Sequence, residues 1–151
     1  MEYDAGTLEP KYANTYKIIK TFHLQMKDGG WGKGCLPSKY TEDLCKEVFR
    51  FKNREDKSHD AISNNNEKIE IKATIGNSSS TTINSKLQFN KLYWLRFDFK
   101  KDIVHVKIYT KQNIFNYLTL NHKKNEVRAN ITLNNVISNK NDDHTIVFKD
   151  I

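Results

Sequence analysis

The sequence predicts an α+β domain in which helices flank a central sheet. Two observations carry this. Apolar residues recur at helical steps from Tyr12 to Met26 and again from Tyr40 to Phe51, and from about residue 60 to residue 110 the texture changes to strand alternation rich in β-branched and aromatic side chains. The length, 151 residues, suits one such domain with a real core and is too short for two.

The first helix is expected over 12–26, where Tyr12, Tyr16, Ile19, Phe22 and Met26 form its stripe and Pro10 stands near its start. The run Gly29-Gly30-Trp31-Gly32-Lys33-Gly34 ends it in a flexible loop. No strand precedes these glycines and no Ser or Thr follows Lys33, so the run is not a Walker loop; its bare amides and Lys33 either meet a phosphate backbone or serve as a plain connector. Pro37-Ser38 opens a second helix reaching about Phe51, with Ser38 as candidate N-cap. At ~100° per residue, Tyr40, Leu44, Val48 and Phe51 form one apolar stripe, and Cys45 and Phe49 form another on nearly the opposite side, so this helix is mostly buried. Two acids fall inside those stripes: Glu47 beside Tyr40 and Leu44, and Glu42 beside Cys45 and Phe49. An acid in such a setting needs a basic partner or a metal.

After a charged connector from Lys52 to Ser58, strands are expected at 60–63, 67–75, 92–99 and 103–110, the last two joined as a hairpin through Lys100-Lys101-Asp102. A short helix is expected at 112–120 and short strands at 127–133 and 145–149, separated by polar segments. There is no internal repeat.

Eight Phe, seven Tyr and two Trp, with 37% hydrophobic residues, exclude a disordered chain. No apolar run approaches the ~20 residues that cross a bilayer, and Met1 to Pro10 is acidic and polar where a secretory signal is basic and then apolar. A soluble cytoplasmic protein without membrane contact is expected. Cys35 and Cys45 are expected as reduced thiols, and together with His23 and His59 they match no compact zinc pattern. Lys and Arg exceed Asp and Glu by seven, a field that draws polyanions, nucleic acid foremost.

The stretch from His59 to Lys72 carries the chemistry. Alternation puts Glu70 and Lys72 on one face of a strand and Ile69 and Ile71 on the other. Asn64-Asn65-Asn66 suits a tight hairpin loop, because Asn tolerates the left-handed conformation. If Ser63 pairs with Glu67, counting outward sets Asp60 directly opposite Glu70, on the same face with Cβ atoms ~5 Å apart. A cross-strand ion pair between Lys72 and an acid is the plain reading of such a cluster. Two directly opposed acids, however, repel by more than one Lys offsets, unless a divalent cation lies between them. Mg²⁺ held by two carboxylates and several waters is the usual arrangement where phosphates are cleaved, with a Lys to orient or deprotonate the attacking water.

Asp60, a hairpin, then Glu70-Ile71-Lys72 within an apolar strand resembles the PD-(D/E)xK nuclease signature, with His59 where that superfamily often has Pro. The acid-bearing helix before it and the strand Leu92 to Phe99 after it are those of the superfamily's restriction-endonuclease-like αβββαβ core, a central mixed sheet flanked by helices. From Leu36-Pro37 through Thr41-Glu42, Asp60-Ala61, Ile69-Glu70-Ile71-Lys72 and Leu95-Arg96-Phe97-Asp98, the sequence is further similar to a small group of type II restriction endonucleases. This resemblance, over roughly residues 36–110, implies Mg²⁺-dependent hydrolysis of double-stranded DNA by two copies of the site in a homodimer, with a cognate DNA methyltransferase in the same system. It implies metal ligation by Asp60, Glu70 and Ile71, catalysis by Asp60, Glu70 and Lys72, and Glu42 as the auxiliary helix acid, since Glu42 follows Thr41 as the corresponding glutamate follows a small hydroxyl residue. The helical wheel alone does not decide between Glu42 and Glu47. His59 is then expected to touch the scissile phosphate.

Ser78, Ser79 and Ser80, in the polar run from Thr74 to Thr82, are expected to bond phosphates or base edges, or else to form a plain polar loop. Further DNA-recognition elements are expected within 111–151: Lys123, Lys124, Arg128 and Asn130, the last two sharing one strand face, where Arg with guanine and Asn with adenine are the usual pairings. A solvated basic loop is the alternative for that stretch. A structure-selective or nicking nuclease would use the same centre. From a different class comes a non-catalytic nucleic-acid-binding β domain, with Tyr93, Trp94, Tyr109 and Phe115 as a base-stacking platform.

Overall fold

A computed structural model describes residues 1–138 and 143–149. In chain order the elements are β1 (Glu2–Asp4), a 3-10 turn (Ala5–Thr7), α1 (Pro10–Asp28), α2 (Ser38–Phe49), β2 (Lys52–Asn53), β3 (Ala61–Ile62), β4 (Lys68–Ile75) and β5 (Ser80–Asn84). There follow β6 (Lys91–Asp98), β7 (Ile103–Thr110), α3 (Lys111–Leu120), β8 (Arg128–Thr132), a second 3-10 turn (Leu133–Asn135) and β9 (His144–Val147). Seven strands form one mixed sheet in the order β1-β9-β7-β6-β4-β3-β2, parallel at β1/β9 and β4/β6. β5 and β8 pair antiparallel as a separate ribbon. This is the expected α+β architecture, compatible with a restriction-endonuclease-like core.

Alternation along the central strands gives the sheet two apolar faces. Leu95 and Phe97 of β6, with Val104 and Val106 of β7, pack with Tyr12, Tyr16, Leu44 and Val48 of α1 and α2. On the other face Leu92, Trp94 and Tyr109 pack with Ile114 and Leu118 of α3 and with Ile83, Ala129 and Ile131 of the ribbon. Full burial of each such side chain contributes roughly 1.5–3 kcal/mol, so both layers are fixed to the sheet by apolar contact.

The buried part of the α1 stripe ends at Ile19; Phe22 is half-exposed. Tyr16 anchors the helix, stacking on Phe148 at 3.9 Å and donating its hydroxyl hydrogen to Asp102 Oδ1 at 2.8 Å. In α2 the N-cap is Pro37, not Ser38, and no side chain caps the helix; the Ser38 carbonyl accepts from the Thr41 hydroxyl instead. The buried residues Thr41, Leu44, Cys45 and Val48 fall on one face of α2, about 100° wide, so the helix is covered on one side and not on the two that the double stripe predicts; Tyr40 and Phe49 flank that face half-buried. Glu47 stands exposed at the margin of its stripe. Two stretches read as polar are strands: Glu2–Asp4 pairs with β9, and Ser80–Asn84 pairs with β8.

Tyr93, Trp94 and Tyr109 are 8%, 3% and 0% exposed, so they are core residues and not the base-stacking platform that a β-domain binder would need. Both cysteines are free thiols, Cys35 exposed and Cys45 buried. Among the described residues no helix is long and apolar enough to cross a membrane.

Candidate active site

The hairpin register expected for the site is present. Ser63 donates its N–H to the Glu67 carbonyl at 2.9 Å, Ala61 faces Ile69 and Ile62 faces Lys68. Asn66 takes the left-handed conformation, with φ at 61°. One step outward the Asp60 N–H bonds the Ile69 carbonyl at 2.8 Å, so Asp60 and Ala61 both stand against Ile69 as in a β-bulge, and the Asp60 carboxyl comes within hydrogen-bond reach of Glu70. The ladder between β3 and β4 ends there, and the Asp60 side chain takes over: Oδ2 accepts the Ile71 N–H at 2.7 Å. In an extended strand the N–H and C=O of one residue point the same way, so the Ile71 carbonyl opens on this same carboxylate.

α2 approaches the gap with its first turns, bringing Thr41 and Glu42. The result is a cleft of about 220 Å³ whose walls include Glu42, Asp60, Glu70, Ile71, Lys72 and Thr81. Burial, then the hydrogen-bonded and negatively charged Asp60, push the Glu70 carboxyl up to about 8, against the opposing pull of Lys72. With no cation present Glu70 therefore favours its protonated form near neutral pH. Glu42 is raised too, first by burial and then by the charge of Asp60, with Lys39, Lys46 and Arg54 pulling it down. Burial pushes the Cys45 thiol well up, and the charge of Asp60 adds to this, which favours the neutral thiol.

Among the described residues no three His, Cys, Asp or Glu side chains come together as a ready metal cage. Mg²⁺ does not require one: it takes one or two carboxylates and fills its octahedron with waters and substrate phosphates. Asp60, Glu70 and the Ile71 carbonyl form a hard-oxygen donor set of that kind. Two like charges that protonate to coexist are relieved by such a cation, so the residues fit the group.

The other expected contacts divide. His59 is buried in the free protein: its side chain is 0% exposed, and Nδ1 lies 3.0 Å from Ser58 Oγ and 3.3 Å from Asp56 Oδ1. The alternation that turns Asp60 into the cleft turns His59 away from it. Lys33 is exposed, beside a separate concavity shared with Lys27, Arg96 and Lys100. Ser80 opens β5, with Ser78 and Ser79 just before it, and Lys123, Lys124, Arg128 and Asn130 lie in and before β8; none of them lines the cleft. Thr81, also in the cleft wall, belongs to β5, a strand within the polar run for which the sequence leaves DNA contacts and a plain loop both open.

Larger concavities exist, including one of about 520 Å³ lined by Arg96, His105 and Lys107. Strand register places these three on the sheet face that carries Glu70 and Lys72. Size does not rank sites for a polymer that lies across a surface, and a small acidic cleft on a face that also carries Arg96 and Lys107 suits a phosphate backbone as well as a deep pocket does.

Residues 9–139, nearly the whole chain, match the family described as Bsp6I restriction endonuclease. No curated protein matches the chain.

Proposed function

The chain belongs to the Bsp6I restriction endonuclease family, and from that premise we propose that it is a type II enzyme hydrolysing double-stranded DNA at a short specific site with Mg²⁺. The observation that carries this reading is the facing pair Asp60 and Glu70 at the end of the β3/β4 ladder, with Lys72 next on the same face. The whole chain acts as one endonuclease domain.

Asp60, Glu70 and the Ile71 carbonyl would hold Mg²⁺, which when bound offsets phosphate charge and makes a neighbouring water more acidic. Asp60 is held in place by the Ile71 N–H, so it enters the reaction without reorganising. Lys72 holds the attacking water by its ammonium group and balances the charge that gathers on the phosphate oxygens in the transition state. The water oxygen bonds to phosphorus, one P–O bond to a sugar oxygen breaks, and that oxygen leaves with a proton. Glu42, reaching in from α2, assists the acid pair from the opposite wall. A restriction role further calls for a cognate DNA methyltransferase, because host DNA carries the same sites and has to be protected.

Plasmid cleavage tests the assignment. Cutting is expected in Mg²⁺ and not in EDTA, and Lys72→Ala and Glu70→Ala are each expected to slow it by at least about a hundredfold while gel-shift binding survives. Near wild-type cutting by either variant would overturn the site.

A further inference from the structure

The mechanism gives no task to the outer face of the β5/β8 ribbon. Its register, Ser80↔Thr132, Thr82↔Asn130 and Asn84↔Arg128, sets which side chains share that face. The inner row, Ile83, Ala129 and Ile131, is buried in the second core. The outer row consists of the six residues just paired, every one a hydrogen-bonding side chain and none acidic, in a chain that contains 18 Asp and Glu.

The mounting of the ribbon is rigid. Leu133 donates its N–H to the Ser79 carbonyl at 2.8 Å, the Thr132 N–H bonds the Tyr117 hydroxyl at 3.1 Å, and the buried Tyr109 hydroxyl donates to the Leu133 carbonyl at 2.8 Å. Its dimensions also suit a duplex. A two-stranded ribbon fits the major groove, ~12 Å wide, and outward side chains on one strand recur every ~6.8 Å, two base-pair steps of ~3.4 Å. The ribbon adjoins the chemistry as well: Thr81, between outward Ser80 and Thr82, lines the cleft of Asp60 and Glu70. Fixed spacing between a reading element and a hydrolytic centre is what a defined cut position demands.

We propose that this ribbon is the base-reading element, entering the major groove with its outer face toward the base edges. Arg128, whose guanidinium now donates to Thr82 Oγ1 at 3.1 Å across the face, swings to O6 and N7 of a guanine. Thr82, Asn84 and Asn130 supply the neighbouring donors and acceptors. Lys123 donates to the Asn130 carbonyl at 2.7 Å and braces β8 from the flank. Recognition is thus shared between β8 and a strand inside the catalytic half of the chain. The inference rests on the nuclease reading of the Asp60, Glu70 and Lys72 site.

The test begins by digesting DNA of known sequence and mapping the cut ends. Duplexes altered at one position of the mapped site are then compared, for wild type, Arg128→Ala and Arg128→Lys, by cleavage rate and by competitive gel-shift binding. Both variants are expected to lose about 10–100-fold on the mapped site and to stop discriminating at one G·C pair while discrimination elsewhere persists. Arg128→Lys keeps the charge and the fold but not the bidentate fork, so it guards against a folding defect in the alanine variant. Unchanged discrimination at every position would overturn the proposal. So would a uniform loss with a shallower salt dependence, the signature of a phosphate contact. Failure of the catalytic reading is separate: it would show as undiminished cutting by Lys72→Ala, and binding discrimination would still report on the ribbon.

Discussion

At the catalytic cleft, burial and the facing Asp60 hold the Glu70 carboxyl at about 8 instead of its ordinary 4.5. A group whose pKa rises on folding adds stability below its unfolded value and loses it as pH climbs through the folded value. The metal-free protein should therefore lose about 2–4 kcal/mol through this one group between pH ~4.5 and ~8, and Glu70→Gln should escape that loss. Urea denaturation in EDTA at several pH values reads the difference; parallel pH profiles for the two proteins would contradict it. The helix acids divide in the same terms. Glu42 lines the cleft and feels Asp60, whereas Glu47 is exposed. Glu42→Gln is expected to slow cleavage or raise the Mg²⁺ requirement, and Glu47→Gln to leave both within about twofold, since surface changes away from special contacts cost little. A helical wheel put both acids in apolar stripes because it knows angles and not neighbours.

The hairpin of β3 and β4 is the element most fully legible in sequence. Three Asn residues and strict alternation carry the register from Ser63 and Glu67 out to Ala61 and Ile69, next to which the Asp60 and Glu70 carboxyls meet, and the same alternation held the signal that His59 points away from Asp60. Asn66 is the hinge of that register, at φ 61°. Asn66→Val should cost about 1–2 kcal/mol, because a β-branched side chain resists the left-handed region, while Asn66→Gly should be nearly neutral. Thermal melts of the two variants check this; equal costs would show that the loop does not depend on that conformation. Elements formed by distant pairing were not legible. In β5 only Ile83 marks the buried row, and its partner β8 lies more than forty residues away, so the strand read as a Ser/Thr loop. β1 is three residues that become a strand only because β9 is beside them. The burial of Glu70 belongs with these, since it depends on how α2 approaches β4, which no periodicity encodes.

For the molecule as a whole, one chain holds one Asp60, Glu70 and Lys72 centre, whereas a double-strand break requires two phosphodiesters to be hydrolysed on antiparallel strands. We infer a working homodimer on a palindromic or nearly palindromic site, in which two-fold symmetry supplies the second centre and each protomer reads the same half-site. The pairing surface in this dimer is α1 with the Gly-rich loop that follows it. These carry Ile18, Phe22, Leu24 and Trp31 at 71%, 43%, 43% and 73% exposure, more apolar surface than α1 needs to pack on its own sheet. Single exposed apolar residues are ordinary, but Ile18 and Phe22 stand one turn apart on the same side of α1, and such a pair, with Trp31 on the loop that follows, is surface that water penalises until another surface covers it. A double substitution, Ile18→Asp with Trp31→Ala, leaves the buried residues Tyr12, Tyr16 and Ile19 in place, so the fold should persist while pairing weakens. Sedimentation with and without cognate DNA should show a dimer on DNA for the wild type, and the double variant should shift toward monomer and convert plasmid linearisation into nicking. A wild-type monomer on DNA that nicks one strand at an asymmetric site would sink the dimer and favour a nicking enzyme built on the same cleft. A dimer that the double variant leaves intact would instead move the interface off α1.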